Sequence, residues 1–104
     1  MAEFVKAIAA ADLAPGKGTE VSVAGKAVAI FNVGGTFYAI SNTCLHRGGP
    51  LGQGFLEGST VTCPWHNWTY DVSTGANVVN HDLKVPCYAT RVDHGQVLVE
   101  VEQP

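Results

Sequence analysis

Charge is scarce in this chain. Charged residues make up 14% of its 104 positions, with six Lys+Arg against nine Asp+Glu and a formal net charge of −3. Lys6, Lys17, Lys26, Arg47, Lys84 and Arg91 stand apart from one another, so no segment offers the basic footprint that phosphate-backbone binding needs, and no nucleic-acid partner is expected. Long apolar runs are also missing. Nothing approaches the ~20 apolar residues of a membrane-spanning helix, and Glu3 and Lys6 interrupt the N-terminus where an export signal would need an unbroken apolar stretch. The expectation is a soluble, cytoplasmic protein with no membrane partner. Cysteine is limited to three, an odd number, and two of these share short patterns with histidine. In a reducing compartment that usage favours metal ligation over a disulfide framework.

Charge blocks, low-complexity linkers and internal repeats are absent as well, so one domain over residues 1–104 is expected. What the chain does have is 46% hydrophobic residues and 12 glycines, the composition of a turn-rich globular protein. Short apolar, β-branched or aromatic runs repeatedly end in glycine-containing turns. Glu20 to Val23, Ala24-Gly25 and Lys26 to Phe31 read as a hairpin, and Gly34-Gly35 leads into a third strand from Thr36 to Ile40. Tyr88 to Val92 turns through Asp93-His94-Gly95 into Val97 to Val101, where Val97, Val99 and Val101 share one face. Val5 to Leu13 is compatible with a short helix or with a strand and a turn, and Ala14-Pro15-Gly16 would stop either. The fold class expected is mainly β, an antiparallel sandwich or small open barrel, with a loop-rich lobe at about 44–86 carrying short strands at Thr60 to Thr62 and Thr69 to Asp71.

The chemistry concentrates in that lobe. Cys44-Leu45-His46 and Cys63-Pro64-Trp65-His66 each contribute one thiolate and one imidazole, separated by sixteen positions. Four such ligands suit a mononuclear zinc site as well as an iron–sulfur cluster, so ligand type alone leaves both open. The bends available at Gly48, Gly49 and Pro50 suit a loop wrapped closely around an inorganic cluster whose sulfides need nearby amide donors. Cys87 fits a small buried core residue, and His81 and His94 fit surface or turn positions.

Together, Cys-x-His-Arg-Gly-Gly-Pro-Leu from Cys44 and Cys-Pro-Trp-His-x-Trp from Cys63 resemble the two cluster-binding boxes of Rieske proteins. The likeness is greatest to the small Rieske ferredoxins of bacterial aromatic-ring oxygenase systems. It extends over nearly the whole chain through the flanking strands and the Tyr70-Asp71…Thr74-Gly75 continuation. The resemblance implies one [2Fe–2S] cluster with Cys44 and Cys63 on the inner iron and His46 and His66 on the outer one. Two neutral imidazoles in place of two thiolates leave the oxidised cluster without net formal charge, so it accepts an electron more readily. Its potential then lies within roughly −150 to +300 mV, against about −400 mV for plant-type ferredoxins.

In respiratory Rieske proteins an extra cysteine in each box forms a disulfide. Gly49 and Trp65 hold the corresponding positions here, and Trp68 replaces a serine that bonds a bridging sulfide. Tyr70 keeps the place of a tyrosine that bonds a ligand sulfur. Fewer donors to the reduced cluster predict a potential towards the low end of the range.

The function implied is that of a monomeric one-electron carrier between a flavoprotein reductase and a terminal ring-hydroxylating oxygenase, not of an enzyme. The alternative is a small Rieske subunit of another reductase or monooxygenase complex. A complete oxygenase would need a second iron site and a substrate cavity, for which 104 residues and the leftover His81 and His94 are insufficient.

Overall fold

The computed structural model describes residues 2–45, 48–65 and 67–102. In chain order its strands are β1 (Ala2–Ala9), β2 (Gly18–Val23), β3 (Lys26–Val33), β4 (Thr36–Ser41), β5 (Phe55–Glu57), β6 (Thr60–Thr62), β7 (Thr69–Asp71), β8 (Cys87–Tyr88), β9 (Thr90–Asp93) and β10 (Gln96–Glu102). Two short 3-10 turns, Ala10–Asp12 and Leu51–Gln53, complete the regular structure. None of these elements is a helix long and apolar enough to cross a membrane.

The strands form three antiparallel sheets, ordered β1-β10-β9, β2-β3-β4-β8 and β5-β6-β7, and they do not close into a barrel. The hairpin at Ala24-Gly25 and the meander through Gly34-Gly35 are as the turn residues predict. Both residues of the first turn have positive φ, 50° and 80°, which the right-handed twist of a two-residue hairpin demands. Val5 to Leu13 resolves as strand and turn. Val5 pairs with Val99 and Ile8 with Val97, and burial against β10 outweighs the helical propensity of the alanines.

β3 explains the layering. Val28 to Asn32 are buried without alternation because both faces of this strand are covered. Val28 and Ile30 join Val23, Ala39, Val97, Val99 and Val101 in a core against the first sheet. Ala29 and Phe31 face the other way, into a second core with Ile40, Leu51, Val61, Tyr70, Val72 and Val85. Cys44 and Cys63 belong to that second core.

Two sequence expectations need adjustment. Tyr88 to Val92 is not one strand: β8 pairs with β4, β9 pairs with β10, and the chain changes sheets at Ala89. Cys87 is exposed rather than buried. β8 is a two-residue edge strand, and the Cys87 thiol turns outward to the Ser73 carbonyl at 3.5 Å while Tyr88 packs on the first core.

Candidate metal centre

The two Cys/His boxes are loops closed at their bases by backbone hydrogen bonds. In the first, the Cys44 amide donates to the Gly49 carbonyl and the Gly48 amide to the Cys44 carbonyl, both at 2.9 Å. Gly48 takes a φ of 72°, a left-handed conformation that glycine adopts without steric cost. In the second, which is the loop of the β6–β7 hairpin, the Cys63 amide donates to the Trp68 carbonyl at 2.7 Å. Asn67, at φ 60°, turns the chain back, and asparagine is among the residues that tolerate this region. Each loop therefore starts at a cysteine held in the core. His46, Arg47 and His66 lie outside the described residues.

The described half of the site is a pair of buried thiols. Cys44 is 1% exposed and Cys63 0%. Burial pushes the Cys63 thiol up from its ordinary value, the neighbouring Cys44 side chain adds to that, and the Trp65 backbone amide opposes it. The two thiols lie side by side at the bases of the two loops, where both sulfurs could serve one thiophilic metal centre. The donor set fits an iron–sulfur cluster anchored by its inner iron.

The fit is close on every described side. Tyr70, fully buried, places its hydroxyl 3.3 Å from Cys44 Sγ and accepts the Leu45 amide at 3.2 Å. Burial and the Cys44 contact push its pKa up to about 12, so the phenol keeps its proton at physiological pH and can donate to sulfur. A Cβ added at Gly49 would lie 2.6 Å from Cys63 Sγ and 3.1 Å from Trp65 Cβ. Residues 49 and 65 therefore face each other, as the correspondence to a disulfide pair requires, but glycine and tryptophan cannot make that bond. Trp68 packs against the second core, whereas Trp65 is 49% exposed, as is Leu45.

The sequence did not reveal how the first box is anchored on β2. Glu20 accepts the side-chain amides of Gln53 at 2.5 Å and Asn42 at 2.6 Å, and Asn42 Oδ1 accepts the Gly52 amide at 2.7 Å. These bonds hold the 3-10 turn that follows Pro50. They lower the Glu20 pKa from its ordinary 4.5, so their stabilising effect is present above that value and is lost as pH falls through the lower folded value. Melting temperatures of wild type and Glu20→Gln should differ above pH 4.5 and converge on further acidification; a difference that grows in acid would refute this role.

The remaining residues stand apart from the thiols. His94, at φ 52° in the turn before β10, pairs with Asp93 at 2.7 Å in an exposed position. His81 is exposed beside Asp71, Thr74 and Lys84 in a cavity of about 480 Å³. Its segment runs along β7, with the Val78 amide bonded to the Thr69 carbonyl and the Val85 amide to the Gly75 carbonyl. Gly75, at φ 81°, has the Val85 carbonyl 2.3 Å from where a Cβ would sit, so only glycine allows this approach.

Three open antiparallel sheets carry two loops that each begin at a buried cysteine, the layout of a metal-binding β protein. The family model of the Rieske [2Fe–2S] domain matches residues 3–90, and the chain belongs to that family. A [2Fe–2S] cluster is accordingly its cofactor. The chain is 30% identical over 102 residues to the ferredoxin component of the naphthalene 1,2-dioxygenase system of Pseudomonas putida, covering 95% of this chain and 96% of that one. Among solved structures, the ferredoxin of carbazole 1,9a-dioxygenase from Nocardioides aromaticivorans IC177 superposes with a TM-score of 0.86 at 34% identity, covering 92% of this chain and 95% of that one. A chain in a complex of reduced oxygenase and oxidised ferredoxin of carbazole 1,9a-dioxygenase superposes with a TM-score of 0.87 at 31% identity, covering 97% and 95%. These relatives are ferredoxin components of oxygenase systems, not the catalysts themselves.

Proposed function

We propose that the protein is a one-electron carrier that takes electrons from a flavoprotein reductase and delivers them to a terminal ring-hydroxylating oxygenase. In this reading residues 1–104 are a single Rieske domain, with the cluster-binding lobe at about 44–86, acting as a cytoplasmic monomer. Cys44 and Cys63 hold the inner iron, and His46 and His66 hold the outer iron. The bound cluster supplies a one-electron couple. The observation that carries the reading is the pair of buried, loop-closed thiols with a neutral phenol on one of them.

The chain's own groups set the conditions for transfer. The backbone bonds that close each loop keep the two cysteines fixed when charge changes, which limits the rearrangement accompanying each electron. With Cys44 held as a thiolate by the cluster, the Tyr70 hydroxyl would donate to its Sγ and favour the more negative, reduced state, while Trp68 at the position of the family's serine offers no hydroxyl. Tyr70→Phe should lower the midpoint potential by about 40 mV, the equivalent of about 1 kcal/mol for a one-electron couple, with iron content unchanged. Protein-film voltammetry showing no shift would remove Tyr70 from this role.

The exposed Leu45 and Trp65 beside the boxes suit a small, transient contact that forms and releases with each partner. Electron delivery is tested with the chemically reduced protein and purified Rieske-type oxygenases, under conditions in which the carbazole or naphthalene ferredoxin is active. Oxidation of the reduced protein with product formation is expected. Failure with every oxygenase would overturn the reading.

A further inference from the structure

Cys63 is fully buried although Pro64 and Asn67 in the same loop are exposed, so its thiol lies just beneath the surface. Two residues stand over it. Gly49, itself buried, accepts the Cys44 amide on its carbonyl at 2.9 Å and turns its Cα toward Cys63, whose Sγ lies 2.6 Å from where a Cβ would stand. Trp65 packs on the same point. Its Cβ and Cγ are each 3.1 Å from that Cβ position, and its backbone amide hydrogen-bonds the Cys63 thiol.

Each box is closed on itself, the first by the bonds between Cys44 and residues 48 and 49, the second by the bond from Cys63 to Trp68. The Trp65 side chain crosses from the second box to the first, and the absence of a side chain at Gly49 is what lets it sit so close. Trp65 is 49% exposed, so its inner atoms cover the cleft while part of the ring remains in solvent. An apolar cover keeps water off a ligand sulfur. Water that reaches such a sulfur donates to it and favours the more negative, reduced cluster.

We propose that Trp65 is a positioning residue for the electron-carrying centre. Seated on Gly49, its side chain seals the cleft between the two boxes, holds both cysteine loops on the cluster and keeps water from the Cys63 sulfur. The inference rests on the electron-carrier reading. The seal acts on two quantities: it holds the midpoint potential low, and it slows loss of the cluster. Phenylalanine retains the Cβ and Cγ that pack on Gly49 and preserves most of the cover, whereas alanine lacks Cγ and the ring and opens the cleft.

The test measures, on cluster-loaded protein, the midpoint potential by protein-film voltammetry and the rate of iron release to an excess of an iron(II) chelator. Trp65→Ala should release iron about fivefold faster than wild type and shift the potential upward. Trp65→Phe should fall closer to wild type than to Trp65→Ala on both measures. Phe55→Ala, which removes an aromatic ring from an exposed position on β5, should match wild type. If Trp65→Ala holds no cluster, Trp65→Leu, which covers less of the cleft than tryptophan, decides by the same two measures. Faster release without a raised potential makes Trp65 a packing residue only. That result, a raised potential without faster release, neither change, or equal changes in Phe55→Ala overturns the proposal while leaving the carrier reading intact. A wild-type protein without the EPR spectrum of a cysteine- and histidine-ligated [2Fe–2S] centre overturns both.

Discussion

Replacing Cys63 with alanine should yield a protein without its cluster: colourless, with iron and acid-labile sulfide near zero and a lowered melting temperature. Cys63 opens the second loop, is fully buried, and is held by the bond from its own amide to the Trp68 carbonyl. No other described thiol can take its place. Cys44 is assigned to the same centre in the proposed reading, and Cys87 is exposed on edge strand β8 with its thiol on the Ser73 carbonyl. Ligand loss also affects folding, because the free energy of holding the metal centre contributes to the stability of the native state. Cys87→Ala is the matched control and should retain full iron. Iron and sulfide analysis beside a thermal melt checks both variants. Full retention in Cys63→Ala, or loss in Cys87→Ala, would contradict the assignment.

The second large effect is expected at Gly49. A methyl group there would stand 2.6 Å from Cys63 Sγ and 3.1 Å from both Cβ and Cγ of Trp65, closer than side-chain atoms normally pack. Cys63 cannot yield, since its backbone closes the loop and its sulfur is assigned to the inner iron, so the first loop must move. Gly49→Ala should cost about 2–3 kcal/mol in denaturant unfolding and reduce cluster content. Gly58→Ala separates this crowding from a backbone penalty. Gly58 sits at φ 61° with nothing within 4 Å of a Cβ, so only the left-handed conformation is penalised, by about 1 kcal/mol. Equal stability losses at the two positions would show that Gly49 is not a packing constraint on Cys63.

Much of this architecture is legible from residues alone. The hairpin at Ala24-Gly25, the meander through Gly34-Gly35 and the common face of Val97, Val99 and Val101 follow from local turn chemistry and a period of two. The cysteine/histidine boxes stand out because their residue types and spacing have a specific chemical use, and the tyrosine that the resemblance points to has its hydroxyl 3.3 Å from Cys44 Sγ. What escaped depends on long-range packing. β5 is three residues long and exists only through its pairing with β6, and nothing local separates β8 from β9 across Ala89. Cys87 looked like core because cysteine usually is, but its exposure follows from the position of β8 at a sheet edge.

The segment before the final strands was the least legible, because Asn77 organises a turn there through its side chain. The adjacent Val78 and Val79 invite a buried reading, whereas both are exposed, Val79 almost completely. An asparagine at each of positions 77 and 80 was the available signal, since such side chains commonly replace backbone partners in turns.

The most direct test of the central assignment is the EPR spectrum of the dithionite-reduced protein, taken on a sample whose iron and sulfide have been counted. The account predicts two irons and two sulfides per chain with the spectrum of a [2Fe–2S] centre under mixed cysteine and histidine ligation. One zinc per chain and no signal, or the spectrum of an all-thiolate cluster, would contradict it.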